Sequence, residues 1–404
     1  MSNSIWRLAR VLLIGFGLVA LGLVYWQVLQ APSLLAREDN PRRVIAEQRV
    51  RRGRLLDRDG NPLAYSQVLP ITALQDVVRR HYALPAAAPA VGYYSLRYGV
   101  GGAEAAFDAR LRGQSGIWDR LLHRPPVGED VTLSLLWSAQ VAADRALGSA
   151  KGAVLAMDVV SGGIWVMVSH PTYDPNQLDE EWEGLVADPD APLLNRSTQG
   201  LYPVGDLARL VGLAGLLSAG TTVPPDPLQA PLEAMLAPLS RLGYLATARQ
   251  LGFDQAPGFD LPTVAGRLPD LYGKDTPRDL VVTPLHMVHF MAAVAGDGQL
   301  PQARLAHPAR PAGVERALSP QVASTLRSVS PRRGDLAVWC GVVTPKETGG
   351  APLSWLAGYA PAEVPYFALV VVVENSSIGE MSTLPVAQQV WQALKDGARE
   401  VARH

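Results

Sequence analysis

The chain has 404 residues, 48% hydrophobic and 18% charged, enough to bury one large core and a smaller domain, which excludes a disordered chain. A formal net charge of −1 excludes nucleic acid as a partner, since phosphate binding needs clustered positive charge and counterion release. The single cysteine, Cys340, excludes an internal disulfide and reads as a buried small hydrophobe; with no Cys/His cluster at metal-ligand spacing, no metal or organic cofactor is expected.

The first predicted element is the apolar run Val11 to Leu29, interrupted only by Gln27. A bilayer core of about 30 Å needs about 20 such residues as helix, so the run predicts one membrane span. Tyr25 and Trp26 sit where an aromatic belt would lie, and no small-residue cleavage pattern follows, so the span reads as an uncleaved anchor. Arg7 and Arg10 favour a cytoplasmic N-terminus, while Arg37, Arg42, Arg43, Arg49, Arg51, Arg52 and Arg54 load the other flank, and charge leaves the orientation open. Gly and Pro break the chain up to about residue 125, predicting a small turn-rich domain in which Asp57-Arg58-Asp59-Gly60 makes a hairpin turn. From Val131 the pattern becomes strands and longer helices: Gly152 to Met157, Gly163 to Ser169, a helix from Leu207, and Phe367 to Val373. The last run is continuous and β-branched, as in a strand buried on both faces of a helix-covered sheet. An α/β or α+β domain follows from this order.

Separate segments in one order carry a resemblance: Arg52-Gly53 through Asp57-Arg58-Asp59-Gly60; Gly92-Tyr93-Tyr94-Ser95 to Gly113; Gly152-Ala153-Val154 through Met157-Asp158 and Ser161-Gly162-Gly163-Ile164 to Ser169; Pro171 to Asn176; Pro192 to Pro203; Val282-Thr283-Pro284-Leu285; and Trp355 to Pro361. Over nearly its whole length the chain resembles a class B penicillin-binding protein, the peptidoglycan D,D-transpeptidase family. The resemblance implies a serine β-lactamase-like transpeptidase fold, with a central antiparallel sheet between helices. It divides the chain into tail and anchor (1–30), pedestal or nonpenicillin-binding domain (31–128) and transpeptidase-like domain (129–404). It also implies a single-pass protein of the bacterial membrane with its bulk outside the cytoplasm, partnered by envelope-synthesis proteins such as a polytopic glycan polymerase, in division or elongation.

Acyl transfer in this family uses Ser-x-x-Lys at a helix start, directly after the segment that matches Tyr202-Pro203. Asp206 stands at the serine position and Arg209 at the lysine position. Arginine stays protonated and cannot accept a hydroxyl proton, and a carboxylate has no hydroxyl to activate. An Asp at a helix start with an Arg three residues on predicts instead an ion pair across one turn. Four lysines occur, Lys151, Lys274, Lys346 and Lys395, preceded at three residues by Gly148, Leu271, Val343 and Gln392, so no Ser-x-x-Lys exists. The expected Ser-x-Asn is reduced to Ser240 with Leu242 two places on, and Val342, Val343 and Thr344 replace Lys-Thr-Gly; Lys346-Glu347-Thr348-Gly349 reads as a loop. These losses predict a pseudoenzyme, a noncatalytic scaffold or regulatory subunit of cell-envelope synthesis. Two alternatives stand beside it: an active D,D-transpeptidase using Asp206, Ser197 or Thr344, and a binder of peptidoglycan stem peptides through Arg209, Thr344 and Lys346. Elsewhere, His286 and His289 read as a helix face rather than metal ligands, and Gly99 to Glu104 and Gly113-Gln114-Ser115-Gly116 as turns.

Overall fold

The computed structural model describes residues 2–26, 30, 50–72, 75–113, 127–221, 223, 227, 229–307, 315–343 and 351–401. Contacts divide the chain into two units, one of Met1–Arg51, Val68–Arg79 and Ser115–Pro126, the other of Arg52–Gln67, Arg80–Gln114 and Val127–His404. The first unit carries helix α1 (Ser2–Val24), whose stretch Ile5–Val24, mean hydropathy 2.0, is long and apolar enough to cross a membrane. The apolar helix therefore begins earlier than Val11 and takes in Arg7 and Arg10; Gln27, Val28 and Leu29 lie outside the described residues.

In the smaller sheet, β1 (Leu55–Leu56), β2 (Pro62–Thr72), β3 (Gln75–Tyr82) and β4 (Val131–Thr132) take the order β3-β2-β1-β4. The turn between β1 and β2 forms as the sequence predicts. Asp57 Oδ1 accepts from the N–H of Asp59 and of Asn61 at 3.0 and 2.7 Å, and Gly60 supplies φ +88°. Gly99 to Glu104 is not a turn: Gly99–Gly101 pairs antiparallel with Tyr93–Ser95 and runs into helix α2 (Gly102–Ala106). What holds that helix is Glu104, fully buried, whose carboxylate meets Arg52 Nη2 at 2.9 Å and Arg80 Nε at 2.6 Å. Those partners lie 52 and 24 residues away, so local sequence carries no sign of them.

The larger sheet has six antiparallel strands: β5 (Gly152–Asp158), β6 (Ile164–His170), β7 (Arg332–Arg333), β8 (Leu336–Val343), β9 (Leu353–Ala360) and β10 (Phe367–Val373), ordered β7-β8-β9-β10-β5-β6. All seven residues of β10 are buried, and the pleat sends them alternately to two cores. Ala368, Val370 and Val372, with Leu155 and Met157, pack toward helices α4 (Ala208–Ser218) and α6 (Pro284–Ala295). Leu369 and Val371, with Val154 and Ala156, pack toward α3 (Trp137–Leu147) and α7 (Glu380–Val401). Each fully buried Val or Leu contributes about 1.5–3 kcal/mol, so the sheet between helices is the main source of stability. Helix α5 (Arg241–Gln250) covers α4. The helix expected from Leu207 starts one residue later, because Gly205 at φ +54° opens a 3-10 turn, Gly205–Leu207, ahead of it.

Candidate functional site

The chain enters the site through Tyr202–Pro203, which pairs antiparallel with Val281–Val282. Tyr202 donates its hydroxyl to Glu374 Oε1 at 2.7 Å, and the same oxygen accepts from Arg196 Nε at 2.9 Å. Arg196 also donates to the carbonyls of Ala191 and Asp190, at 3.1 and 2.6 Å. Burial, then the charge of Glu374, pushes the Tyr202 phenol far above its ordinary pKa, so it stays a donor. From the next residue, Pro203 O accepts from Trp355 Nε1 at 2.9 Å. This brace ties the turn to the end of β10 and to β9. Tyr202→Phe is expected to lower stability by about 1–1.5 kcal/mol, read in a urea melt of the full chain.

The turn then lies against β8. A Cβ on Gly205 would sit 2.2 Å from Val343 Cγ2, and one on Gly341 would sit 3.4 Å from Asp206 Cβ. Glycines at both places let the two backbones approach and set Asp206 opposite Gly341. Asp206 is 43% exposed and pairs with Arg278 Nη1 at 2.7 Å; Arg278 Nε lies 3.7 Å from Glu233.

This corrects the expected Asp206–Arg209 pair. Arg209 Nη1 donates instead to the carbonyls of Pro227 and Ala230, at 2.5 and 2.8 Å. Arg278, which takes its place beside Asp206, is 72 residues away in a segment where the sequence marks no charge as special.

The two valines in place of Lys-Thr-Gly point to opposite faces. Val343 faces Gly205, while Val342 Cγ2 stands 2.9 Å from where a Cβ on Gly379 would be. Thr344, Lys346 and Gln114-Ser115-Gly116 lie outside the described residues. Ser197 is fully buried and donates to Val168 O at 3.1 Å, so its hydroxyl does not reach a substrate. Ser240 is the N-cap of α5, accepting from Gly243 N, and Leu242 faces solvent. On α6, His286 sits between Thr283 Oγ1 and Gln255 O, both 2.8 Å from its ring nitrogens, and His289 is buried one turn on.

Beside Asp206 a recess of about 370 Å³ is lined by Asp206, Arg209, Arg333, Trp339, Cys340 and Glu380 among others. Arg333 and Glu380 form a two-bond ion pair at its edge, with Nη2 to Oε2 at 3.2 Å. Cys340 is half-buried rather than buried, because it sits beside this opening. Burial, then the Glu380 charge, pushes its thiol up to about 11, so at neutral pH it is no thiolate nucleophile. Among the described residues, β8 is paired on its outer side only by the short β7, which reaches no further than Arg332 opposite Ala337. The strand edge past that point opens next to Asp206.

Residues 52–126 match a family model described as the penicillin binding protein A dimerisation domain. The chain is 28% identical to the peptidoglycan D,D-transpeptidase PbpA of Mycolicibacterium smegmatis, over 98% of this chain and 100% of that one. It is 30% identical to the Escherichia coli peptidoglycan D,D-transpeptidase MrdA over 31% of this chain and 23% of that one. The crystal structure of PBPA from Mycobacterium tuberculosis superposes with a TM-score of 0.74 at 25% identity, covering 85% of this chain and 99% of that chain. The transpeptidase domain structure from Eggerthella lenta has the same fold, with a TM-score of 0.72 at 24% identity over 87% and 99% of the two chains. These likenesses bear out the α/β transpeptidase fold. They overturn the expectation that the chain is no enzyme: proteins similar along nearly its full length are named as peptidoglycan D,D-transpeptidases.

Proposed function

Because the chain belongs to the class B penicillin-binding proteins, we propose that it works in peptidoglycan synthesis as a D,D-transpeptidase with an atypical catalytic group, acting on acyl-D-Ala-D-Ala stem peptides. Residues 1–30 anchor it in the membrane, 31–128 form the pedestal, and 129–404 form the transpeptidase domain outside the cytoplasm, beside a polytopic glycan polymerase.

The observation that carries this reading is the placement of Asp206: it is half-exposed at the start of the α4 turn, opposite Gly341, and beside an open strand edge. An extended peptide adds to such an edge by main-chain hydrogen bonds, which would bring a peptide carbonyl to Asp206. With no hydroxyl at 206, the carboxylate serves as general base rather than as the site of a stable acyl-enzyme. The attacking amine forms its N–C bond to the carbonyl carbon while its proton passes to Asp206. The C–N bond to the terminal D-Ala then breaks, and the leaving nitrogen takes that proton. Arg278 holds the carboxylate in place.

The test is release of D-Ala from an acyl-D-Ala-D-Ala pentapeptide by the detergent-solubilised full chain. Asp206→Asn keeps the size of the side chain and removes the base, and is expected to slow release by at least about a hundredfold. No release from the unaltered chain, or an unchanged rate in Asp206→Asn, overturns the proposal.

A further inference from the structure

A serine nucleophile keeps the acyl group after the first product leaves, so donor and acceptor can take turns in one place. A carboxylate that acts only as a base stores nothing, so the acceptor amine has to be in place when the bond to D-Ala breaks. Asp206 therefore needs a neighbour that holds an amine. Arg278 Nη1 holds its Oδ1 at 2.7 Å, which leaves Oδ2 for the incoming proton.

Another edge of the same guanidinium meets Glu233, with Nε 3.7 Å from Oε1, so one guanidinium's width separates the two carboxylates. At that distance Glu233 is paired by charge without a hydrogen bond, and its side chain is 73% exposed, so its oxygens can accept from a ligand. Two carboxylates against one guanidinium leave one net negative charge, which favours a cation. The short helix Leu232–Leu236 fixes Glu233 there: Leu232, Met235 and Leu236 are buried and Glu233 faces outward. Leu236 Cδ2 packs over Gly212 of α4, 2.0 Å from where a Cβ would sit. Arg209 grips the chain on both sides of Glu233, through Ala230 O at 2.8 Å and Met235 Sδ at 3.8 Å. Neither Glu233 nor Arg278 lines the recess beside β8, so a donor peptide on that edge leaves them clear.

We infer that Glu233 is the acceptor-binding residue: it pairs with a side-chain ammonium of a second stem peptide and holds that nitrogen beside Asp206 while the donor occupies the β8 edge. The ammonium first gives one proton to solvent at this exposed carboxylate. The free amine then attacks as described above, its second proton passing through Asp206 to the leaving nitrogen, and the released D-Ala takes up a proton from solvent. This rests on the general-base reading above and adds that donor and acceptor occupy the site together.

Initial rates of D-Ala release are measured on the detergent-solubilised full chain. The donor is a stem pentapeptide with its own amines acetylated. The acceptor is either an N-acetylated stem tripeptide with a free lysine side chain or hydroxylamine, which is uncharged at neutral pH. Rates varied in both substrates are expected to give intersecting reciprocal plots, the sign of a ternary complex, where an acyl-enzyme would give parallel ones. Glu233→Gln should raise the KM of the tripeptide about fivefold and leave those of the donor and of hydroxylamine unchanged. Glu233→Asp keeps the charge and should recover part of that loss. Turnover with an unchanged tripeptide KM in Glu233→Gln, or with an equal rise for hydroxylamine, overturns the role of Glu233 and leaves the general-base reading standing. Parallel plots overturn both, as does the absence of D-Ala release with either acceptor.

Discussion

Glu104→Ala is expected to destabilise the protein by roughly 3–5 kcal/mol, the range for removing one partner of a buried ion pair. Glu104 is fully buried, and its two carboxylate oxygens are divided between Arg52 and Arg80, whose side chains are 2% and 3% exposed. After truncation Arg52 keeps Asp108 at 2.6 Å, so part of its charge stays compensated. Arg80 has no such second carboxylate among its bonds; it keeps the carbonyl of Gly53 at 2.8 Å, and its Nη2 is a buried donor with no partner among the described residues. The loss therefore falls mainly on Arg80. Two further variants separate charge from packing. Glu104→Gln still accepts one hydrogen bond and should lose less, and Arg80→Leu combined with Glu104→Ala should recover part of the loss by removing the stranded charge. Urea melts of the full chain read all three. A loss below about 1 kcal/mol for Glu104→Ala would mean that water reaches both guanidinium groups.

The same network marks where sequence stops being informative. Phe367 to Val373 was legible because continuous β-branched burial is a local property, and the Asp57 to Gly60 turn because its hydrogen bonds close within five residues. Gly99 to Glu104 was misread as a turn because the two arginines that bury Glu104 come from β3 and from the segment before β1. At the site, the order of landmarks located Asp206, but its partner could not be read. Sequence spacing offered Arg209 one turn away, whereas Arg209 is drawn to two loop carbonyls and Arg278 arrives from the 3-10 turn Pro277–Asp279 just before Val281. The Arg333–Glu380 pair spans 47 residues and was equally hidden. The expectation of a non-enzyme failed for a different reason. The absence of Ser-x-x-Lys tests one route, through an acyl-serine, and a carboxylate at the same place can still move a proton.

Acid is expected to destabilise the protein beginning near pH 6.5, well before most carboxylates titrate. His286 and His289 lie one turn apart on α6, at 2% and 8% exposure, and burial pushes each down to about 4. For His289 the nearby His286 lowers it further. In the unfolded chain both take up a proton near the ordinary histidine value of about 6.5. Between about 6.5 and 4 the unfolded state thus binds more protons than the folded one, so stability is complete above that window and falls as pH drops through it. A shift of this size in one histidine is worth about 3 kcal/mol when fully expressed. The two rings share one helix face, so protonating one raises the cost of protonating the other, and the pair behaves as a coupled unit. Asp130, whose carboxyl is held down by its hydrogen bonds to Arg54, adds acid sensitivity only at lower pH. His289 Nε2 is a buried atom with no partner among the described residues, so His289→Leu removes the titrating group without breaking a described bond at that atom. Urea melts at pH 7.5 and 5.0 should show a loss of roughly 4 kcal/mol in the unaltered chain, about 2 from each histidine, and roughly half of that in His289→Leu. Equal losses in the two chains would show that water or a polar neighbour reaches His289 in the folded state and that His289 contributes nothing to the acid sensitivity of α6.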